Sequence, residues 1–521
     1  MAQAHAVPAP PTLSHMQQPP HAAPTRGFTT LNTVIEELGF TTYHWYVLFT
    51  ASAVWAICGW SATLVVYLLD AAGERQSDWV HLTAPSERLT VSDKALMLAA
   101  SNAVAGLSNI AIGSCADSVG RIMTCTICAA LTVFSVAGFA FADSKLMLFA
   151  LLMASPFIKD GPCTPSGCLL AEWLPIKFRG VLLVTLHLAW NLGRAAVTLL
   201  WVAMPPTEVW KPFFVTASIC PAVLLLFLAS KGSRYESPRW LATTGQMKRS
   251  IEQLERARVS DQAAAEASLP ENWNDPDCLR IAGTPAGSDD QEQTWQQRMS
   301  EVFEADVRGL VLLLGMLHFL LGYYSMGFFY WLLEYLRDIG MSEAAGPAML
   351  AAPLGKMTGV MLLVTGGPGI CLIDRFPRVP LLQVGFFGAA CCVGGLTLCT
   401  KPLLAVAAVY ISNIFEEIVW CTASVYVAEV FPTTIRGTAQ GLIFFMCSLG
   451  CISSSVFTGK LLVLNPKLPM LGMMVVSILG GLLGCFCREE RGKEPLCDCT
   501  PKHPKQVKYG TMDTEGHTGS S

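Results

Sequence analysis

Charge is scarce in this chain. Of 521 residues only 14% are Asp, Glu, Lys or Arg, against 52% hydrophobic. An ordinary soluble domain carries about a quarter charged residues. The deficit is what a bilayer core imposes, since a charge at mid-membrane costs roughly 2.5–3.5 kcal/mol on insertion scales. Lysine and arginine are also unclustered, and with a net charge of −4 nothing points to nucleic acid. A leader-like apolar core is lacking at the start, where residues 1–27 are rich in Pro, Ala, Gln and His and read as a disordered tail. The 19 cysteines fall mostly inside apolar runs rather than grouped with histidine in aqueous loops, which argues against a disulfide framework or a metal site. A metal triad, a nucleophile elbow and a phosphate-binding lysine are all missing. The chain therefore does not read as an enzyme, and neither cofactor nor metal is expected.

What is present is a repeat. Asp117-Ser118-Val119-Gly120-Arg121 is followed by Glu172-Trp173-Leu174-Pro175 and Arg179-Gly180; Asp374-Arg375-Phe376-Pro377-Arg378 is followed by Glu429-Val430-Phe431-Pro432 and Arg436-Gly437. The differences 374 − 117, 378 − 121, 429 − 172 and 436 − 179 all equal 257. A constant register of polar residues across two hydrophobic halves marks a duplicated unit, as in secondary transporters built from parallel repeats.

Apolar stretches long enough to cross a bilayer are predicted at about 45–69, 94–114, 121–141, 146–170, 181–203 and 212–230 (spans 1–6), then 308–333, 346–372, 380–400, 403–428, 437–459 and 468–487 (spans 7–12). The expected fold is an all-α membrane protein of twelve transmembrane helices in two pseudo-symmetric halves. Its parts are an N-terminal tail, 1–43; a first six-helix half, 44–230; a central loop, 231–305; a second half, 306–487; and a C-terminal tail, 488–521. Lys231, Arg234, Arg239, Arg308, Arg488, Arg491 and Lys493 flank the tails and the central loop, and the positive-inside rule puts all three in the cytosol.

Ionisable residues inside spans are functional candidates by default. Lys159 and Asp160 lie near the middle of span 4, and adding 257 reaches Glu416 and Glu417 in span 10. Lys159 facing either glutamate would neutralise it, leaving a surplus acid for a proton or a cationic solute; a structural ion pair between the halves is the plainer alternative. Span 5 carries His187, Asn191, Arg194 and Thr198 at steps of four, three and four, one helical face that must look inward. Arg194 needs a carboxylate, backbone carbonyls or a bound anion, and pairing with Asp160 or Glu417 is one solution. Histidine is the side chain whose charge can switch near neutral pH, although a lone histidine such as His187 is commonly a packing residue. In span 7, Tyr323 and Tyr324 offer either cavity surface or interface anchoring, and Glu334 reads as interfacial. Asn413 and Trp420 share a face with Glu417.

Several motifs resemble a known family. Gly113-x-x-x-Asp117-x-x-Gly120-Arg121 is similar to the signature loop of the major facilitator superfamily, and Glu236-Ser237-Pro238-Arg239-Trp240-Leu241 resembles its sugar-porter and organic-ion branch. Ile35-Glu36-Glu37-Leu38-Gly39-Phe40, Ala171-Glu172-Trp173-Leu174-Pro175, Tyr323-Tyr324 and Ala428-Glu429-Val430-Phe431-Pro432 resemble the synaptic-vesicle-two-related group. The resemblance implies that spans 1, 4, 7 and 10 line a central cavity. It also implies that Asp117, Arg121, Glu172, Arg179, Glu236 and Arg239, with Asp374, Arg378, Glu429 and Arg436, form a breakable conformational latch. The chain departs from the pattern at Ile122 and Met123, at Pro377, and in an uncharged span 1 up to Asp70.

The expectation is a monomeric secondary active transporter in a plasma or vesicle membrane. It would move a small organic solute, an organic ion rather than a sugar, with proton coupling through Glu416, Glu417 or Asp160. A facilitator-like receptor that binds without transporting is the alternative.

Overall fold

The structure is a computed structural model that describes residues 29–72, 89–154, 161–204, 206–261, 269–270, 272–276, 278–280, 295–365, 372–431 and 433–487. Lys159 and Asp160 lie outside the described residues, as do the side chains of Asp374, Glu429 and Arg436.

Among the described residues, ten helices are long and apolar enough to cross a membrane, and Lys145–Ala154 and Leu468–Gly484 are shorter apolar helices. In chain order the spans are Thr42–Ala71, Val91–Val119, Arg121–Phe139, Lys145–Ala154 with Cys163–Trp173, Ile176–Ala203 and Pro206–Lys231. The second half runs through Ala305–Asp338, Ser342–Thr365, Arg378–Leu396, Pro402–Val430, Thr433–Leu464 and Leu468–Gly484. Several helices outrun the stretches read from hydrophobicity; span 7, expected at about 308–333, extends to Asp338. The polar ends that hydropathy discards are held by ion pairs described below.

Local chemistry sets the boundaries. Span 2 opens on a reciprocal cap, with the Asp93 amide donating to Thr90 Oγ1 at 3.1 Å and the Thr90 amide to Asp93 Oδ2 at 2.9 Å, which satisfies two orphan helix-start donors. It ends at Gly120, whose φ of +110° a side-chain-bearing residue rarely adopts. That residue lets the chain reverse straight into span 3. Between spans 6 and 7, a short helix at Pro238–Thr243 is capped by Ser237 and followed by Met247–Val259. The two-residue strand Thr29–Thr30 pairs in parallel with Leu279–Arg280, so the start of the described chain is tied to the segment between the halves.

The duplication is visible in the packing. Where span 1 crosses span 5, a Cβ on Gly193 would collide with the Ala56 carbonyl; where span 7 crosses span 11, a Cβ on Gly450 would collide with the Phe319 carbonyl. Because 450 − 193 = 257, the two repeats put glycine at the same crossing. Small residues at such crossings let helix backbones touch.

The halves meet along spans 2 and 11 and along spans 5 and 8. We call the face where span 1 begins and span 12 ends the tail face, and the opposite one the far face. On the far side one apolar core runs through both halves, joining Tyr67, Val197 and Phe213 to Tyr324, Phe328 and Trp331. On the tail side each half has its own core, around Trp173 and Leu254 in the first and around Tyr426 and Phe431 in the second, and a smaller cluster joins Val184 of span 5 to Val360 and Leu363 of span 8. The span 2–span 11 seam changes in the same sense. Asn102 Nδ2 donates to Ser455 Oγ at 3.3 Å, and a Cβ on Gly106 would lie 3.1 Å from Ser448 Cβ, yet at Gly113 and Gly441 a Cβ would meet nothing within 4 Å. The halves are fused on the far side and splayed along this seam towards the tail face.

Candidate functional site

A cavity of about 190 Å³ lies between the halves, lined by residues from both. Its size is below the roughly 300–1,000 Å³ typical of drug-sized sites, so it suits a small solute. Among the sequence candidates, His187, Arg194, Asn413, Glu416, Glu417 and Trp420 line it. Trp55, Trp190, Phe328, Phe329 and Phe444 give it aromatic walls.

Its polar centre is a cluster around a residue that the sequence reading passed over. Lys356, in span 8, places Nζ 2.6 Å from Glu416 Oε1 and 3.3 Å from Glu417 Oε2. All three side chains are buried. Two adjacent glutamates point about 100° apart on a helix, and one lysine arriving from the neighbouring span reaches both. Ser325 Oγ, in span 7, donates to Glu416 Oε1, and Trp420 Nε1 donates to Ser325 Oγ at 3.2 Å. From the other half, His187 Nδ1 stands 3.0 Å from Glu417 Oε1, with its ring 5.0 Å from that of Trp55. The contact between His187 and Glu417 thus crosses the interface between the halves.

Arg194 behaves differently. It is 6% exposed and lines the cavity. Its guanidinium lies over the Phe329 ring at 4.2 Å, and its Nε is buried with no hydrogen-bond partner among the described residues. Among the described residues no carboxylate lies within ion-pair distance of it, so Glu417 is not the partner that the sequence left open. The rest of the span 5 face is structural. Asn191 Nδ2 donates to the His187 carbonyl at 2.9 Å, and its Oδ1 is buried without a partner among the described residues. Tyr67 OH donates to Thr198 Oγ1 at 2.8 Å.

Neither Tyr323 nor Tyr324 is among the lining residues. Tyr324 is fully buried, with its hydroxyl 2.6 Å from Ser412 Oγ. Asn413 Nδ2 donates to the Val409 carbonyl at 2.8 Å within its own helix. His187, Glu417 and Cys421 bring possible ligand atoms within 4.8 Å of one another. Lys356 already sits against that carboxylate, so a metal cation would meet a fixed positive charge; the trio reads as a hydrogen-bonded cluster.

Two ion pairs tie the halves together at the far face. Arg337 grips Asp70 with both terminal nitrogens, at 2.7 and 3.2 Å. Lys94 Nζ lies 2.7 Å from Glu334 Oε1. Glu334, expected at the interface, is 5% exposed. Residues 334 and 337 are neighbours on one face of span 7, and their partners come from spans 1 and 2.

The signature loop builds a network at the tail face of the first half. Arg121 reaches Asp117 at 3.1 Å and Glu172 at 3.0 Å. Glu236 accepts from the backbone amides of Arg121 and Ile122, both at 3.1 Å, and so caps span 3. A Cβ on Gly120 would lie 2.8 Å from Glu236 Oε2, a second reason for glycine there. Burial pushes the Glu236 carboxyl above its ordinary range, opposed by the Ser237 and Ile122 amides and by Arg121. Arg239 Nε donates to the Glu172 carbonyl at 3.1 Å, and Arg179 to the Leu174 carbonyl at 3.0 Å. In the second half, Arg378 is buried beside the Phe376 carbonyl.

A duplicated twelve-span helical body with a cavity at the seam of its halves defines a membrane transporter. The chain belongs to the Major Facilitator Superfamily, whose model matches residues 29–455. It is an integral multi-pass membrane protein, and the family is one of secondary transporters of small solutes rather than enzymes. The chain is 24% identical to human solute carrier family 22 member 13 over 80% of its length and 72% of that protein's. It is 26% identical to the major myo-inositol transporter IolT of Bacillus subtilis, strain 168, over 71% and 75%. To the synaptic vesicle 2-related protein of Bos taurus it is 23% identical over 89% and 82%. The fold is similar to that of the Escherichia coli proton:xylose symporter XylE with 6-bromo-6-deoxy-D-glucose bound, with a TM-score of 0.63, 17% identity, and coverage of 87% and 97%.

Proposed function

We propose that the chain carries a small organic ion by alternating access, using the seam cavity as its site and Glu417 as its coupling group. The observation behind this reading is the cavity's polar content. Two carboxylates, a lysine and a guanidinium are buried at membrane depth amid aromatic walls. Sites for neutral sugars rely on neutral hydrogen-bonding side chains, whereas this one concentrates formal charge. The relatives' names span myo-inositol and solute carrier family 22, so the chemistry of the cavity supports an ion where the names do not choose.

The packing supports a conformation closed at the far face and parting towards the tail face. The Asp70–Arg337 and Lys94–Glu334 pairs act as the far-side lock. The Arg121 network is the tail-side counterpart, to be joined by Asp374, Arg378, Glu429 and Arg436 when the cavity opens the other way. Reading the tails, the central loop and the tail face as cytosolic makes this conformation the inward-facing one. Coupling fits the contact between His187 and Glu417, because a proton gained or lost there, beside Lys356 and Cys421, changes an interaction that spans the two halves.

Uptake into proteoliposomes, measured for labelled organic anions, organic cations and sugars with and without a pH gradient, tests this. Gradient-driven uptake of one ionic class, abolished in Glu417→Gln, is expected. Saturable binding with no flux would instead fit a receptor, and uptake of a sugar alone would reverse the choice of solute.

A further inference from the structure

We propose that the solute is an aromatic monocarboxylate whose carboxylate is received by Arg194. This rests on reading the seam cavity as the transport site. The formal charges of Lys356, Arg194, Glu416 and Glu417 sum to zero, so the net field of the cavity does not choose a sign. The choice is local. Both carboxylates are already engaged, Glu416 by Lys356 and Ser325, Glu417 by Lys356 and His187. A cationic solute would have to break one of these contacts to find a counter-ion. Lys356 is likewise held, by two acids at once. Among the described residues Arg194 is the charge without an ion-pair partner: buried, at the cavity wall, with an unbonded Nε and the Phe329 ring against its face. A guanidinium cannot shed its proton; Glu416 and Glu417 balance its charge only from beyond ion-pair distance, and a buried donor without an acceptor is costly. The solute supplies the missing acceptor.

The shape of the group narrows the class. Phe329 covers one face of the guanidinium, so its edge donors remain, in the planar fork that matches a carboxylate bidentately. One guanidinium fork receives one carboxylate; a phosphate monoester, near −2 at neutral pH, would bring a second negative charge beside Glu416 and Glu417. The rest of the solute meets the rings of Trp55, Trp190, Phe328, Trp420 and Phe444, and a flat apolar body fits walls that offer ring faces and edges. The cavity volume of about 190 Å³ favours a single ring over a fused polycycle.

Full-length protein in nanodiscs, titrated with benzoate, benzamide and benzylamine, tests the assignment by tryptophan fluorescence, since three tryptophans line the cavity. Benzoate is expected to bind saturably, at least tenfold more tightly than benzamide, with no saturation by benzylamine. Arg194→Gln is expected to remove at least tenfold of the benzoate affinity, and Arg194→Lys to recover part of it. Equal binding of benzamide or benzylamine in the unaltered protein overturns the proposal, whatever the variants do. So does Arg194→Gln with undiminished benzoate affinity, or a folded protein that binds none of the three. Because the readout is binding, it is separate from flux: uptake of some other ion would leave the transporter reading standing while this assignment fell.

Discussion

Lys356 is tied to Glu416 at 2.6 Å across the contact between spans 8 and 10, and the same Nζ also reaches Glu417. Removing one member of a buried ion cluster strands the others, at a cost of about 3–5 kcal/mol. Lys356→Ala is therefore expected to melt far below the parent in detergent, and Lys356→Met paired with Glu416→Gln to recover much of the loss. If the single and double variants melt alike, the cluster is not the coupled unit described here.

At the far face, Asp70 and Arg337 make a two-pronged bond between the halves. Such charge-assisted forks are stronger than single contacts, and a shift of 1.4 kcal/mol moves a two-state balance tenfold. Asp70→Asn is expected to raise the population open at the far side by about tenfold, seen as a longer distance between probes at the far ends of spans 2 and 11. The exchange Asp70→Arg with Arg337→Asp should restore the shorter distance. No change in the single variant would show that the apolar far-side core closes that face by itself.

Much of this architecture was legible in the sequence, and what was not has physical reasons. The 257-residue register anticipated the duplicated halves, and hydropathy placed the helices because a bilayer filters composition. Span 5 was read from periodicity; the structure sends His187 and Arg194 of that stripe to the cavity and Asn191 and Thr198 to helix contacts. Lys356 carried a usable signal, a lone lysine inside a predicted span, but its partners sit 60 residues away and the 257 register offers it no counterpart in the first half. Asp70, Lys94, Glu334 and Arg337 stand near helix ends, where charge is unremarkable until tertiary structure pairs it. Tyr324 shows the limit of motif reasoning: its position matched the family, yet its hydroxyl is spent on Ser412.

The crossing glycines give a paired test of the repeat. Gly193→Val drives branched carbons against the Ala56 carbonyl, and Gly450→Val does the same against Phe319. Overpacking commonly costs about 1–3 kcal/mol, and here the obstruction is backbone, which yields less than a side chain. Both variants are expected to lower the melting temperature, the first loosening spans 1 and 5 and the second spans 7 and 11. Gly113→Ala, at a site where a Cβ meets nothing within 4 Å, should leave the melting temperature of this conformation unchanged. A fall as large as that of Gly193→Val would contradict the open tail-side seam.

Glu236 offers a pH test outside the membrane spans. Its carboxyl is held above its ordinary value of 4.5, chiefly by burial, so the folded protein binds that proton more tightly than the unfolded chain. The stability contributed is then fully present below the unfolded value and is lost as pH rises through the folded one. Facing it are the Arg121, Ile122 and Ser237 amides and the Arg121 charge, all of which favour the anion and so limit the loss without reversing its sign. Glu236→Gln removes the titration while keeping an acceptor at the start of span 3. The melting temperature of the parent minus that of the variant is expected to fall as pH is raised from 4.5 towards neutrality. A difference that rises over that interval would mean the three amides and Arg121 outweigh burial, and that Glu236 serves as an ionised cap throughout.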